Sequence, residues 1–341
     1  MTRLFERAVA PAVCADQHYL TADTISSCNN DNSPAAPSVL SRFAGIKSVL
    51  AGCALMAASC TASAASALSD ISTAGALKND TLQVTVAIAP PFVSITNNIS
   101  DPAGIDIALI RELQRRTGFG LKQNAIDVTS FEAMMEMGKN GHSDILAGAI
   151  SANADRARDF LLTPPYIYNS VCIVSRKGED INTIAEVSGK TMAIQTGTKI
   201  EDMISAYPDI AVFATPSTFM NFYAVATGAA DALITDEIIA RAYIGLWPDA
   251  NLEVSGRLPG TNSGMALMFK KDSPDSAILM AAYEEMIADG TVERIVHSEL
   301  EKYFVRQVTD ETGKRNLTSN GIPPQFMTIP ENERPRNPDR S

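Results

Sequence analysis

From Thr81 onward the chain alternates short runs rich in β-branched residues with longer stretches whose apolar residues recur at helical spacing. Residues 82–88 predict a strand. Ile105, Leu109 and Leu113 then recur at i, i+4 and i+8 opposite Arg111, Glu112, Arg115 and Arg116, and Gly118 supplies a stop, which together predict an amphipathic helix. Residues 131–138 predict a second helix ended by Lys139-Asn140-Gly141, and residues 144–150 a second strand, so the order opens βαβ. Further strands are expected at 171–175, 191–194, 211–213, 232–234 and 265–269, and helices at 199–206, 219–227, 236–245, 276–289 and 291–303. Alternation on this scale predicts an α/β architecture with largely parallel sheets and ligand chemistry at the C-terminal ends of the strands. Met134, Met135 and Met137 fall on the second helix and are read as core packing.

The ends of the chain follow a different pattern. Arg42 and Lys47 precede an uncharged run from 48 to 69, with small-x-small patterns at Ala62-Ser63-Ala64 and Ala65-Ser66-Ala67. That is the layout of a cleaved export signal over 42–67, which places the mature protein in the periplasm. Leu50-Ala51-Gly52-Cys53 also resembles a lipoprotein processing box, but it leaves only 48–50 as an apolar region after Lys47, so anchoring through Cys53 is the lesser expectation. Residues 1–41 are polar and aperiodic, in the wrong place for the start of a signal; they are read as an extension, disordered or mis-assigned, with translation beginning near Val39 or Leu40. Residues 306–341 hold five prolines in the last twenty positions and no apolar period, which predicts a disordered tail.

Composition narrows the class. A chain of 341 residues with 45% apolar and 20% charged residues has enough material for a core, and its length suggests two domains. The net charge of −11 carries the wrong sign for a phosphate backbone, so nucleic acid is not an expected partner. Four of the five cysteines lie in the first sixty residues, which excludes a disulfide framework or a cysteine zinc site for the body; Cys172 sits alone in an apolar strand and reads as an inert buried thiol. The three histidines share no metal-ligand spacing and none is close in sequence to a nucleophile, and neither a Gly-x-Gly-x-x-Gly pattern nor a P-loop occurs. No metal and no cofactor are expected.

Three passages remain. Asp144-Ile145-Leu146-Ala147-Gly148-Ala149-Ile150-Ser151 runs from a strand into an open loop, with Arg156 five residues on and Thr163-Pro164-Pro165-Tyr166 beyond. Free backbone groups, a hydroxyl and a guanidinium make a carboxylate receptor, because Arg can grip a carboxylate through two parallel hydrogen bonds. The other reading is a surface Arg156 solvated among Asp155, Arg158 and Asp159. In Ile194-Gln195-Thr196-Gly197-Thr198-Lys199 a strand turns through glycine into a helix start, which either attracts an anion or is merely capped by Thr198. Ala232-Leu233-Ile234-Thr235-Asp236 puts a carboxylate at the end of an apolar strand, where Asp236 either caps the next helix or receives an ammonium.

In this order, and together with Pro90-Pro91-Phe92-Val93, Gly104-Ile105-Asp106 and Gly228 through Asp231 to Asp236, the passages resemble the family of periplasmic solute-binding proteins for polar amino acids. That family shares its fold with the ligand cores of ionotropic glutamate receptors. The resemblance spans 81–304 and implies a periplasmic binding protein-like type II fold, two lobes joined by two crossing strands. Lobe 1 would comprise 81–175 plus 264–304 and lobe 2 179–260, closing on a ligand by hinge motion. It implies that Arg156, helped by Ser151, holds an α-carboxylate, that the Ala149 carbonyl and Asp236 take the α-ammonium, that Thr198 meets the ligand from the other lobe, that Phe131 forms an aromatic wall and Gln195 a side-chain reader, with Phe92 among the contacts. The partners implied are a zwitterionic amino acid and the inner-membrane permease of an ABC transporter, for a monomeric binding protein that is not an enzyme. The sequence departs from the family in a short loop after Ile88, in Pro102 and Ala103 where an aromatic often lies over the ligand, and in a small Thr235.

Two other functions remain open on the same fold. A periplasmic cyclohexadienyl dehydratase, removing water and carbon dioxide from a prephenate-like substrate, needs a proton donor; only Glu237 or Glu201 offers itself. A receptor's sensor domain needs a membrane span or catalytic module downstream, and none is read after Phe304.

Overall fold

The computed structural model describes residues 72–95, 98–309 and 315–319. The expected extension, the export signal and Cys53 lie outside the described residues. The first elements are β1 (Thr81–Leu82), β2 (Val84–Ala87), α1 (Ile105–Thr117), β3 (Gly120–Leu121), β4 (Asp127–Thr129), α2 (Phe131–Lys139), β5 (Ile145–Ala147), α3 (Ala154–Asp159) and β6 (Phe160–Leu162). Then come β7 (Ile167–Asn169), β8 (Val171–Arg176), β9 (Thr191–Gln195), α4 (Lys199–Ser205), β10 (Ala211–Thr215), α5 (Thr218–Thr227), β11 (Ala232–Asp236) and α6 (Glu237–Leu246). The series ends with β12 (Leu252–Arg257), β13 (Ser263–Met265), β14 (Met268–Lys270), α7 (Pro274–Ala288), α8 (Thr291–Phe304), β15 (Val305–Thr309) and β16 (Arg315–Ser319).

Local chemistry sets these elements. In α1, Ile105, Leu109, Ile110 and Leu113 are fully buried, and the solvent side is tied by Glu112 to Arg115 at 2.7 Å and to Arg116 at 2.9 Å. Gly118 ends the helix at φ 85°, donating its N–H to the Gln114 carbonyl. Ser130 caps α2 by accepting the Ala133 N–H, and Phe131 and Met134 pack with Leu146, Phe160 and Met268.

The strands assemble into two five-stranded sheets. The first has the order β4-β2-β5-β14-β6, with β2 parallel to both β4 and β5, and β14 antiparallel to β5 and β6. The second has the order β10-β9-β11-β8-β12, with β9 parallel to β10 and β11, and β8 antiparallel to β11 and β12. The chain passes between the sheets twice, along β7 and back along β13, and these two segments pair antiparallel with Gly264 opposite Tyr168. The architecture is the two-lobe α/β fold with two crossing strands.

Three boundaries differ from the sequence reading. Residues 171–175 were expected in lobe 1, yet β8 is the strand between β11 and β12 in the second sheet, so the crossing lies earlier, at β7. The expected strand 265–269 is two strands, β13 and β14, belonging to different sheets. Met265 through Phe269 are all fully buried, so an unbroken apolar run gave no sign of where the partner changes. Part of the expected disordered tail is paired: β15 and β16 form an antiparallel hairpin, while residues 320–341 lie outside the described residues.

In β12 the register against β8 slips between Val254 and Gly256. At that bulge the backbone of Gly256 lies against the Asn182 carbonyl, and a Cβ there would stand 1.9 Å from that oxygen. Backbone cannot swing aside as a side-chain tip does. Gly256→Ala is therefore expected to lower unfolding stability by about 1–3 kcal/mol, read as an earlier urea midpoint; an unchanged midpoint would show that the bulge tolerates a methyl group.

Candidate functional site

The first sheet delivers its cleft groups through the turn after β5. Gly148 (φ 140°) and Ala149 (φ 58°) both lie at positive φ, and a Cβ on Gly148 would meet the Ala87 carbonyl at 2.7 Å. Ala149 is an L-residue in the left-handed region, a conformation that costs about 1–2 kcal/mol and needs support. Asp106 of α1 supplies it. Its Oδ2 accepts the N–H groups of Gly148 (2.8 Å) and Ala149 (3.2 Å), and its Oδ1 accepts the Tyr166 hydroxyl (2.5 Å). Burial pushes the Asp106 carboxyl up to about 6, against the lowering effect of those three hydrogen bonds. Beyond the turn, Ser151 bridges Met265 of β13, and the Ala152 N–H donates to the Gly264 carbonyl at 2.7 Å.

Asn153 then caps α3 by accepting the Arg156 N–H at 3.0 Å, and the first turn rotates the Arg156 side chain inward. Arg156 is 8% exposed, whereas its neighbours Asp155 and Arg158 are exposed and paired with each other. Its Nη1 donates to the Ser151 carbonyl at 2.6 Å, and its Cζ lies 5.5 Å from the Phe131 ring centroid. Of the two sequence readings, the solvated surface arginine is not what forms. Burial lowers the Arg156 pKa and the charge of Asp236 opposes that shift, so the two groups feel one another without forming a direct pair.

On the second sheet, Asp236 ends β11. It makes no side-chain cap to α6; its Oδ1 accepts from Asn169 Nδ2 at 2.6 Å, and Asn169 Oδ1 in turn accepts the Ile238 N–H at 3.0 Å. Burial pushes the Asp236 carboxyl up to about 6, with Asn169 and then Arg156 pulling it down. The turn after β9 closes on itself. Thr198 makes no cap to α4 but donates its hydroxyl to the Gln195 carbonyl at 2.8 Å, and the Gly197 N–H that an anion would use goes to Glu201 at 2.9 Å.

These groups converge. One cleft, about 760 Å³ of space partly open to solvent, is lined by Phe131, Ala149, Ser151 and Arg156 from one side and by Gln195, Thr198 and Asp236 from the other. Phe92 is the exception among the expected contacts: it is fully buried, outside the cleft lining, and packs edge-on against Tyr166 with centroids 6.2 Å apart. It is a core residue, placed there by the turn after β2 that folds back on Ala89. At the mouth of the cleft Lys199 of α4 bridges to Asp155 of α3, and Gly197 lies against Glu132, where a Cβ would stand 2.8 Å from the Glu132 Cβ. Glu237 is buried outside the cleft lining, its Oε1 accepting from Arg241 at 2.7 Å and Arg257 at 2.6 Å. Among the described residues no cluster of three His, Cys, Asp or Glu side chains could hold a metal ion, and no helix is long and apolar enough to cross a membrane.

Sequence reasoning gave Asp106 no role beyond a signpost, although a carboxylate at i of an i, i+3, i+7 stripe with Leu109 and Leu113 was a readable signal. Asn169 and the Lys199–Asp155 bridge had none.

The family model for bacterial extracellular solute-binding proteins, family 3, matches residues 82–304, both sheets and the cleft between them. The chain belongs to that family. Among its relatives, the probable histidine-binding protein of Campylobacter jejuni is 22% identical over 66% of this chain and 86% of its own length. The virulence sensor protein BvgS of Bordetella pertussis is 28% identical over 51% of this chain, which spans only 14% of the sensor's length. Other relatives are named as amino-acid-binding proteins of ABC transporters. The solved structure of holo ArgBP from T. maritima superposes with a TM-score of 0.56 at 25% identity, covering 63% of this chain and 96% of the other.

Because Asp106 satisfies three buried donors at once, Asp106→Ala leaves them unpaired. At about 1–3 kcal/mol per orphaned buried group, the loss expected is at least about 2 kcal/mol, measured as the shift in urea midpoint. A variant as stable as the parent would remove Asp106 as the support of the Gly148–Ala149 turn.

Proposed function

We propose that this family member is the binding protein of an ABC importer and closes on an amino acid or an amino-acid-like zwitterion. The observation that carries the reading is a buried cation and a half-buried anion lining one cleft from opposite sheets, each held by its own neighbours and not by the other. Arg156 takes the ligand's carboxylate with Ser151 beside it; Asp236 and the Ala149 carbonyl take the ammonium; Phe131 backs the guanidinium, and Thr198 and Gln195 close the site from the second lobe. The lobes hinge on the paired segments β7 and β13. The export signal read at 42–67 supports a periplasmic location, and the partner on delivery is the inner-membrane permease, with the binding protein acting as a monomer. Relatives named for histidine and amino-acid binding support the ligand class.

Binding without catalysis is the reading favoured for the same cleft. A dehydratase would draw its proton from Glu237 or Glu201; the first is held between two arginines and the second accepts the Gly197 N–H, and neither lines the cleft.

Truncating one partner of a buried charge contact costs about 2–5 kcal/mol, and each ~1.4 kcal/mol is tenfold in affinity. Arg156→Ala is expected to weaken binding of the zwitterion at least about thirtyfold by calorimetry; a change below about threefold would remove Arg156 from the site.

The pH dependence has a definite sign. Asp236 of the free protein titrates near 6, and an ammonium bound against it holds it ionised, so binding below that pH expels a proton. Affinity should be flat above about pH 7 and fall toward tenfold per unit below about 6, while Asp236→Asn binds weakly with a flat profile. A wild-type profile that is flat down to pH 4.5 would exclude Asp236 as the ammonium receptor.

A further inference from the structure

We infer that the ligand's side chain is apolar and uncharged, a narrower class than the family's polar amino acids; the inference rests on the zwitterion reading above. Asp236 is the one carboxylate among the residues lining the cleft, and the ligand's ammonium occupies it. A cationic side chain, of the kind an arginine or histidine ligand brings, would be buried with no anion to meet it, which is strongly unfavourable. The cations along the cleft are Arg156, committed to the carboxylate, and Lys199, which is bridged to Asp155 at the mouth, so an acidic side chain would have to displace that bridge.

Most polar side chains of the second-lobe wall are engaged with neighbours and not aimed at the cleft. Gln195 Oε1 accepts the Thr218 hydroxyl at 2.7 Å, and its Nε2 reaches the Pro216 carbonyl at 3.5 Å. The Asn221 amide, turned to suit its surroundings, donates to Thr215 Oγ1 at 2.7 Å and to the Ile194 carbonyl at 3.2 Å, and accepts the Gln195 N–H at 3.1 Å. Thr198 donates to the Gln195 carbonyl. Of the wall's side chains, the Thr235 hydroxyl is left without a partner among the described residues. Gln195, the expected reader of a polar side chain, is thus engaged as a wall brace.

What the cleft does offer is unspent apolar surface. Ile88 is 37% exposed, and Val171, Ile200 and Met203 are half-buried, all four lining the same space with buried Ile234 and Ile239 behind them. Exposed aliphatic groups gathered in a concave site gain by being covered. Each ligand methylene buried there is worth about fourfold in affinity.

The test is calorimetry on the intact chain at pH 7.5 with leucine, isoleucine, valine, methionine and phenylalanine against arginine, lysine, histidine, glutamate and glutamine. The best apolar ligand is expected to bind at least about thirtyfold tighter than any of the second group, and Met203→Asp to narrow its lead over arginine at least tenfold. If a charged or amide side chain binds as tightly as the best apolar one, and Arg156→Ala abolishes that binding, the zwitterion reading stands and this inference falls. If none of the ten binds, this inference falls, and the zwitterion reading then stands or falls on whether betaines and opines bind the wild type and lose binding in Arg156→Ala. The wild-type panel decides the matter even where the Met203 variant does not fold.

Discussion

The cleft depends on the separation of two opposite charges that do not touch. Arg156 and Asp236 are each partly withdrawn from water, and each shows it: desolvation pulls the arginine's pKa down and the aspartate's up. Side chains free to move would collapse into an ion pair. They are kept apart because each already has a fixed neighbour, the Ser151 carbonyl for the guanidinium and the Asn169 amide for the carboxylate. Those two neighbours are tied to the crossing segments, Asn169 as the last residue of β7 and Ser151 through its bridge to Met265 of β13. The antiparallel pairing of β7 with β13 therefore sets the distance between a cationic and an anionic side chain carried by different sheets.

That arrangement asks for an unusual backbone, and the structure supports it locally. The left-handed Ala149 and the glycine before it are pinned by Asp106, itself buried and held by Tyr166. Preorganisation of this kind means a ligand does not have to order the receptor as it binds, so more of the contact energy remains as affinity. The mouth of the cleft is arranged differently. The Lys199–Asp155 bridge joins two half-exposed side chains, and screened pairs of this sort hold loosely. Firm contacts line the floor and weak ones the rim, which suits a cleft that must open again to release what it holds.

Much of the fold was legible because amphipathic helices announce themselves. The stripe of Ile105, Leu109 and Leu113 and the Gly118 stop gave the first helix to within a residue. Strand positions were legible but sheet membership was not: residues 172–175 and 265–269 are buried on both faces, and a run without alternation says nothing about its partner. The strand β4, Asp127-Val128-Thr129, offered a single apolar residue, too little for a period. In the cleft, residues on strand ends and helix starts were readable, since an Arg on a first turn or an Asp after an apolar strand stands out against its surroundings. Phe92 misled because an aromatic beside a proline pair reads alike whether it faces a ligand or the core. Asn169 was silent because its role exists only once two strands cross.

On the function proposed above, the same crossing gives the ammonium receptor and the hinge a shared residue. Asn169 accepts the Ile238 N–H at the start of α6 while it donates to Asp236, so its amide cannot rotate without losing one contact or the other. Rotation of the lobes about β7 and β13 must carry Asp236 with Asn169, since the carboxylate has no other protein donor among the described residues. Arg156 is likewise carried with Ser151 and the β13 bridge. On that proposal, opening changes the gap between the charges without disturbing either side chain's neighbours, so a ligand bound at one pole finds the other by rigid rotation rather than by rebuilding the site. A solute with a single charge gains from one lobe alone; a zwitterion of the right span gains from both, and only that second gain falls on the shut state.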